Sequence, residues 1–429
     1  MELQAWTLIP FILMLLAIAL LPALVGKWWE SNLNKLLVSL LLAVPTCLIA
    51  CYFDIREAVA HQVVFDYIPF IVLLLGLFAV TGGIHLSGDL LAKPTTNTAI
   101  LGIGAVLASL IGTTGAAMLL IRPLLETNRE RTKKVHTVLF FIAVVANCGG
   151  LLTPLGDPPL FMLYLYGAPF GWFFHLLPEW LLFNVTLLVV YFLWDSWLYR
   201  REPKEALARD AAERTPLRIT GKVNFIWLVG IVLAVAFLNE HYFPFMTGAH
   251  NYWKFLRDGF IALMIIASLL TTRRQVRIDN KFSWAPILEV ACLFIGIFIT
   301  MVPALQYLQQ HAPSLGLTSA KHFYFATGAL SGFLDNTPTA LAFHAVAKGL
   351  PVPEGATLVA GIPQDLLAAI SLGAVMFGSL TYIGNGPNFM VKSIAEENGI
   401  KMPSFFRYMT HFSLIVLLPI FIVIALLFL

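Results

Sequence analysis

The chain has 429 residues, of which 59% are apolar and 12% charged, against about 25% charged in a soluble globular domain. A mean hydropathy of +0.82 excludes a water-soluble enzyme. A net charge of +3 leaves no electrostatic footprint for nucleic acid.

In chain order, apolar segments lie near 6 to 26, 35 to 53, 67 to 91, 135 to 160, 180 to 199, 223 to 240, 257 to 272, 283 to 308, 365 to 390 and 405 to 429. Runs of about 20 residues cross a ~30 Å hydrocarbon core at 1.5 Å per residue. Backbone in lipid has to satisfy its own hydrogen bonds, and continuous apolar runs without alternation indicate helices rather than barrel strands. The expected fold is an all-α polytopic membrane protein with about ten transmembrane helices. The first run follows Met-Glu, with no basic n-region and no small-residue cleavage site before Lys27, so it reads as a retained helix and not a signal peptide. Cys47, Cys51, Cys148 and Cys292 have neither metal-site nor redox spacing and read as small buried packing residues.

Two further apolar stretches, 98 to 121 and 322 to 348, do not fit as crossings. The loops 122 to 134, 200 to 222 and 273 to 281 hold 16 of the 27 Lys and Arg, which makes them cytoplasmic by the positive-inside rule. The stretch 98 to 121 then begins after Lys93 and ends at Arg122 on one face. It is therefore predicted to be a re-entrant hairpin with arms of about 11 residues, each ~16 Å long, turning at Gly112-Thr113-Thr114-Gly115. The same reasoning makes 322 to 348 a hairpin from the outer face, turning at Asp335-Asn336-Thr337-Pro338. Both termini fall outside, in what is expected to be a bacterial inner membrane.

Gly150 to Met162 aligns without gaps on Gly378 to Met390, 228 residues later, with seven of thirteen positions identical. Gly76-Leu77-Phe78 matches Gly296-Ile297-Phe298, and the hairpin turns match at an offset of 223 with Leu110 laid on Phe333. The first copy begins with a span running inward and the second with one running outward. The expected organisation is thus an inverted repeat: 1 to 200 with hairpin 98 to 121 and broken helix 135 to 160, a cytoplasmic linker at 201 to 222, and 223 to 429 with hairpin 322 to 348 and broken helix 365 to 390. Inverted repeats are an architecture of alternating-access transporters.

Proline removes a helix hydrogen bond, so Pro158 and Pro159 are expected to free the carbonyls of Pro154 and Leu155, and Pro387 that of Ile383. Gly156, Gly384 and Gly386 let the chain unwind where it lines a cavity. At the hairpin turns, Pro338 suits a first helical position with Thr337 as cap. Thr113, Thr114, Asn336, Thr337, Thr339, Thr153, Thr381, Asn385 and Asn388 add oxygens, giving two facing polar clusters near the midplane. Asp157 and Asp335 lie inside the repeated breaks. An acid at the bilayer centre costs about 2.5 to 3.5 kcal/mol on insertion scales, so such residues are functional by default. Direct ligation and capping of a broken helix both fit Asp157; ligation fits Asp335 better. A proton and a hard cation such as Na⁺ compete for such oxygens. Glu289 reads as an interfacial carboxylate, with proton relay as its alternative. His85, His136, His175, His322 and His344 read as interfacial rings, and Asn147 as a donor to the site or to a neighbouring helix.

The segments Gly-Gly-Leu-Leu-Thr-Pro-Leu-Gly-Asp-Pro-Pro (149 to 159) and Leu-Asp-Asn-Thr-Pro-Thr (334 to 339) resemble those of the ion-transporter superfamily, which includes D-type sodium/proton antiporters, arsenite exporters and citrate or dicarboxylate transporters. The resemblance covers about 67 to 429. It implies a scheme of two hairpins and two broken helices, and assigns the hairpin-motif role to Asp335 and Asn336 and the broken-helix role to Asp157. The carboxylate carriers have Ser-Asn-Thr at both tips, whereas this chain has Gly-Thr-Thr-Gly and Asp-Asn-Thr-Pro.

No G-x-x-x-x-G-K-[ST] loop is present, and no H-E-x-x-H or G-x-S-x-G, so the chain is expected to be no enzyme and to run on an ion gradient. The leading expectation is a sodium/proton antiporter with Na⁺ and H⁺ as transported or coupling ions and no cofactor. The alternative is cation- or proton-coupled transport of citrate or a dicarboxylate. Expected partners are a small ion or carboxylate and the lipid bilayer, without nucleic acid; a homodimer stays open.

Overall fold

The computed structural model describes residues 3–212, 214–248 and 250–429. The fold is all-α and polytopic: eight helices among the described residues are long and apolar enough to cross a membrane. The principal helices are α1 (Ile9–Leu24), α2 (Asn32–Tyr52), α3 (Arg56–Thr81), α4 (Pro94–Ile111), α5 (Thr113–Thr127), α6 (Val135–Val144), α7 (Pro158–Leu165), α8 (Leu177–Tyr199), α9 (Asn224–Phe237) and α10 (Phe255–Thr271). They continue with α11 (Ala285–Gln310), α12 (Ala320–Ser331), α13 (Asn336–Lys348), α14 (Gln364–Phe377), α15 (Gly386–Glu397) and α16 (Phe405–Phe428).

Both stretches singled out as hairpins double back. Gly112 (φ +80°, ψ 151°) ends α4 and starts α5, in a region of backbone space where a Cβ is disfavoured. At the other end Asn97 and Asn128 exchange amide hydrogen bonds of 2.9 Å, so the arms close side by side. These arms have 18 and 15 residues, longer than the 11 expected, because the polar Asn97 and Asn128 extend the helices past the apolar run. In the second hairpin the rings of Phe323 and Phe343 lie 6.3 Å apart across α12 and α13.

The base of the first hairpin is anchored by buried charge. Arg131 donates to Asp195 Oδ1 at 2.7 Å, His136 Nε2 lies 2.8 Å from the same oxygen, and Asn97 and the Tyr191 hydroxyl donate to Oδ2. Arg131 also approaches Glu202 at 3.4 Å. His136 is thus buried in an ion-paired network and not an interfacial ring, and His344 is likewise buried, at 2.8 Å from the Ala360 carbonyl oxygen.

The span expected at 67 to 91 is instead α3 followed by a strand. The helix starts eleven residues earlier, passing through a π-helical stretch at Gln62–Tyr67 that brings Asp66 inside it. It ends at Thr81 before Gly82 and Gly83. β1 (His85–Asp89) then pairs antiparallel with β2 (Thr215–Thr220) from the linker. Asn280 donates to the carbonyls of Gly82 and Ile84, and Asn224 to that of Gly83, so this turn is satisfied by protein rather than by continuing helix.

α2 and α11 pack closely enough that a Cβ on Gly296 would come 2.6 Å from that of Ser39. Phe70, Phe294 and Phe298 interleave α3 with α11. Glu289 is neither free nor part of the central cluster: it pairs with Lys35 of α2 at 2.7 Å, with 45% of its side chain exposed. Glu289 stands outside the central cluster and its pair with the buried Lys35 is half open on the Glu289 side, so Glu289→Gln is expected to change transport rates by less than about fivefold, the equivalent of about 1 kcal/mol; flux measured on the purified variant in liposomes tests this. Cys47 and Cys51 are exposed on α2, contrary to the packing role expected for them, while Cys148 is buried. An apolar bilayer accepts a thiol on the helix surface as readily as a core does.

Candidate functional site

Each broken helix has the same construction. After α6, a 3-10 turn at Cys148–Leu152 leads into a break that ends at Asp157, the N-cap of α7. After α14, a 3-10 turn at Gly378–Leu380 leads into a break that ends at Asn385, the N-cap of α15. Pro158, Pro159 and Pro387 sit in the first turn of the second half-helices, where a missing N–H costs nothing. They therefore start helices rather than free the carbonyls of Pro154, Leu155 and Ile383. The engaged carbonyl is that of Gly156, which accepts from the Thr113 amide at 2.8 Å.

Matched residues make matched contacts. Thr153 donates its hydroxyl to the Ser109 carbonyl of the first hairpin, and Thr381 donates to the Gly332 carbonyl of the second. The same hydroxyls accept from the amides of Leu155 and of Ile383 and Gly384. A Cβ on Gly150 would meet Thr113 at 2.7 Å, and one on Gly378 would meet Asn336 at 2.6 Å. These short glycine gaps seat each hairpin tip on its break.

The two clusters expected to face one another are one cluster around Asp157. Its side chain makes no capping bond to its own helix, and the residue is 1% exposed. Thr113 Oγ1 donates to its Oδ1 at 3.0 Å, Asn336 Nδ2 to its Oδ2 at 2.8 Å, and Asn385 Nδ2 to its Oδ1 at 3.2 Å. One carboxylate thus ties the first residues of α5 and α13, which are the two hairpin tips, to the opposite break. Thr113 and Asn336 correspond at the offset of 223, and Asp157 and Asn385 at 228.

Asp335 behaves differently. It is the N-cap of α13, where its carboxylate accepts from the Thr337 amide at 3.0 Å, and it makes no hydrogen bond to the Asp157 cluster. An Asp side chain at an N-cap is held by its own helix's orphan N–H groups, so the neighbouring Asn336 makes the cross-contact. Thr339 donates to the Asp335 carbonyl at 2.9 Å. Among the described residues, the buried Thr337 hydroxyl makes no hydrogen bond of ordinary geometry. Thr114 lines a cavity of about 90 Å³ with Leu77, Phe78, Leu155, Gly156 and Ile287.

Asn147 is more central than a neighbour-helix donor. It donates to Asn388 Oδ1 at 2.6 Å and accepts from Asn385 at 3.2 Å, while Asn388 donates to the carbonyls of Gly378 and Thr381. Ser331, which sequence reasoning passed over, places its hydroxyl 2.5 Å from Asn336 Oδ1 and 2.6 Å from the Ala374 carbonyl oxygen, with its one proton available to either. Its only signal was a hydroxyl on a largely apolar hairpin arm, which also carries Thr327 and Tyr324.

The arrangement can hold a proton or a cation on Asp157. A carboxylate that takes up either loses acceptor capacity, which weakens its bonds to Thr113, Asn336 and Asn385. A family model described as putative citrate transport matches residues 1–429. Among curated proteins, none matches the chain.

Proposed function

The chain belongs to the family described as putative citrate transport, a family of membrane-embedded secondary transporters, and from that premise we propose that it carries a citrate-type carboxylate coupled to a cation or proton bound at Asp157. The observation that carries this reading is the three-donor grip on one buried carboxylate. Occupancy of that carboxylate changes the bonds to both hairpin tips at once, which links the ion to the geometry of the pocket. Four half-helices, α5, α7, α13 and α15, begin at the cluster, and helix N-termini favour anions. The buried Thr337 completes the oxygen and N–H set.

In this proposal residues 1 to 200 and 223 to 429 are copies inverted in the membrane, with both termini outside, and they rock about the cluster to expose it alternately. A second reading, Na⁺/H⁺ exchange without an organic substrate, is favoured by the oxygens gathered at Asp157, since carboxylate and hydroxyl oxygens are the ligands a hard cation prefers.

Uptake of [14C]citrate into proteoliposomes under an imposed Na⁺ or pH gradient separates the two. Gradient-dependent accumulation is expected. Absence of accumulation, together with Na⁺-evoked proton movement in the same vesicles, transfers the assignment to exchange.

A further inference from the structure

At the helix ends away from the Lys- and Arg-rich loops lies a cavity of about 910 Å³ that contains none of the Asp157 cluster. Among its lining residues are Arg257, Asp258, Trp172, Tyr164 and Asp66. Arg257 is 6% exposed although it borders this space. Its guanidinium lies 5.6 Å from the ring centres of both Phe161 and Tyr164, and its Nε donates to Asp258 Oδ1 at 3.3 Å. A guanidinium has five N–H donors in a planar fork suited to a carboxylate.

The surrounding polar atoms are incomplete in a complementary way. Among the described residues, buried Asp258 Oδ2 lacks a partner, and so does buried Trp172 Nε1, a donor. Buried polar atoms are ordinarily hydrogen-bonded, so each exception calls for an explanation. Charge at the wall is near balance: Glu240 is paired with Lys254 at 2.5 Å, Asp258 with Arg257, and Asp66 stands 4.0 Å from His61 Nδ1. One acceptor oxygen, one indole donor and a guanidinium fork around an open volume match a carboxylate with a hydroxyl beside it.

We propose that this cavity is a second binding site, for a hydroxycarboxylate, which places a carboxylate on Arg257 and Trp172 Nε1 and donates its hydroxyl to Asp258 Oδ2. The class of ligand rests on the carboxylate reading above. The site is placed to load the central cluster, because Tyr164 and Phe161 belong to α7, whose N-cap is Asp157. Seven residues separate Tyr164 from Asp157, about 10 Å along the axis.

The test is equilibrium dialysis of [14C]citrate against the purified full-length protein, with tricarballylate, the analogue lacking the hydroxyl, as competitor. Arg257→Ala is expected to remove one class of bound citrate or weaken it about tenfold or more, with Arg257→Lys intermediate. Loss of a hydroxyl that a site is built to receive reduces affinity strongly, so citrate should outcompete tricarballylate in the wild type and lose that advantage in Asp258→Asn. Isotherms of Arg257→Ala and Arg257→Lys that superimpose on the wild type, at unchanged melting temperature, overturn the proposal. Should Arg257→Ala not fold, the Arg257→Lys and Asp258→Asn isotherms decide. Citrate bound through Arg257 without any uptake sinks the transport reading alone; uptake with Arg257-independent binding sinks this one alone.

Discussion

Asp157→Asn is expected to lower gradient-driven uptake by roughly a hundredfold or more, the scale seen when an essential proton-transfer group is lost, while the protein stays folded. The substitution keeps the shape of the side chain. An amide cannot bind a proton or balance a cation at neutral pH, and its NH₂ faces Thr113, Asn336 or Asn385, all of which donate to the carboxylate in the wild type. Uptake in proteoliposomes, with the melting temperature measured on the same preparation, checks this. Uptake within a few-fold of wild type would remove Asp157 from the coupling step, leaving it as a structural acceptor between the two hairpins.

Gly156→Ala is expected to prevent assembly of the central cluster. An added Cβ would stand 1.8 Å from the Gly150 carbonyl oxygen, a backbone atom that cannot rotate away. Overpacking a tight interior costs about 1 to 3 kcal/mol and more where backbone has to move, and here the movement would pull Thr113 from the Gly156 carbonyl. Gly384→Ala, 2.5 Å from the Gly378 carbonyl, is the second-copy counterpart, whereas Gly386, with nothing within 4 Å, supplies the control. Size-exclusion profile and thermal unfolding of the three variants should place Gly156→Ala as the most damaged, Gly384→Ala next and Gly386→Ala near wild type. Equal tolerance at Gly156 and Gly386 would contradict the close approach of the two strands of the break.

Much of this arrangement is legible in the residues because the signals are strong ones. Apolar runs, Gly and Pro at the breaks and the order of polar residues at the tips locate the hairpins and the interrupted helices, and the tip of the first hairpin does lie on Gly156. The division of labour between the two acids is not legible. Asp335 and Asp157 both read as acids in apolar surroundings, and only the backbone shows that Asp335 faces its own helix N-terminus while Asp157 faces away from its own. Ser331 and His136 escape for a related reason: polar residues on long apolar helices carry no mark of whether they meet a partner on a distant segment or the interface. The boundary of α3 was missed because the linker strand that terminates it lies more than 100 residues downstream, beyond any local pattern.

Among the six positions at which the two breaks differ, one sets Asp157 against Asn385. The matched construction therefore carries an electrical asymmetry: of the two N-cap positions one bears a carboxyl and the other an amide, so ionisation of Asp157 puts a single negative charge at the cluster's centre. A monovalent guest neutralises it, so any voltage dependence of turnover should fall on the leg in which that centre travels without its guest, since moving one elementary charge through 100 mV is worth about 2.3 kcal/mol.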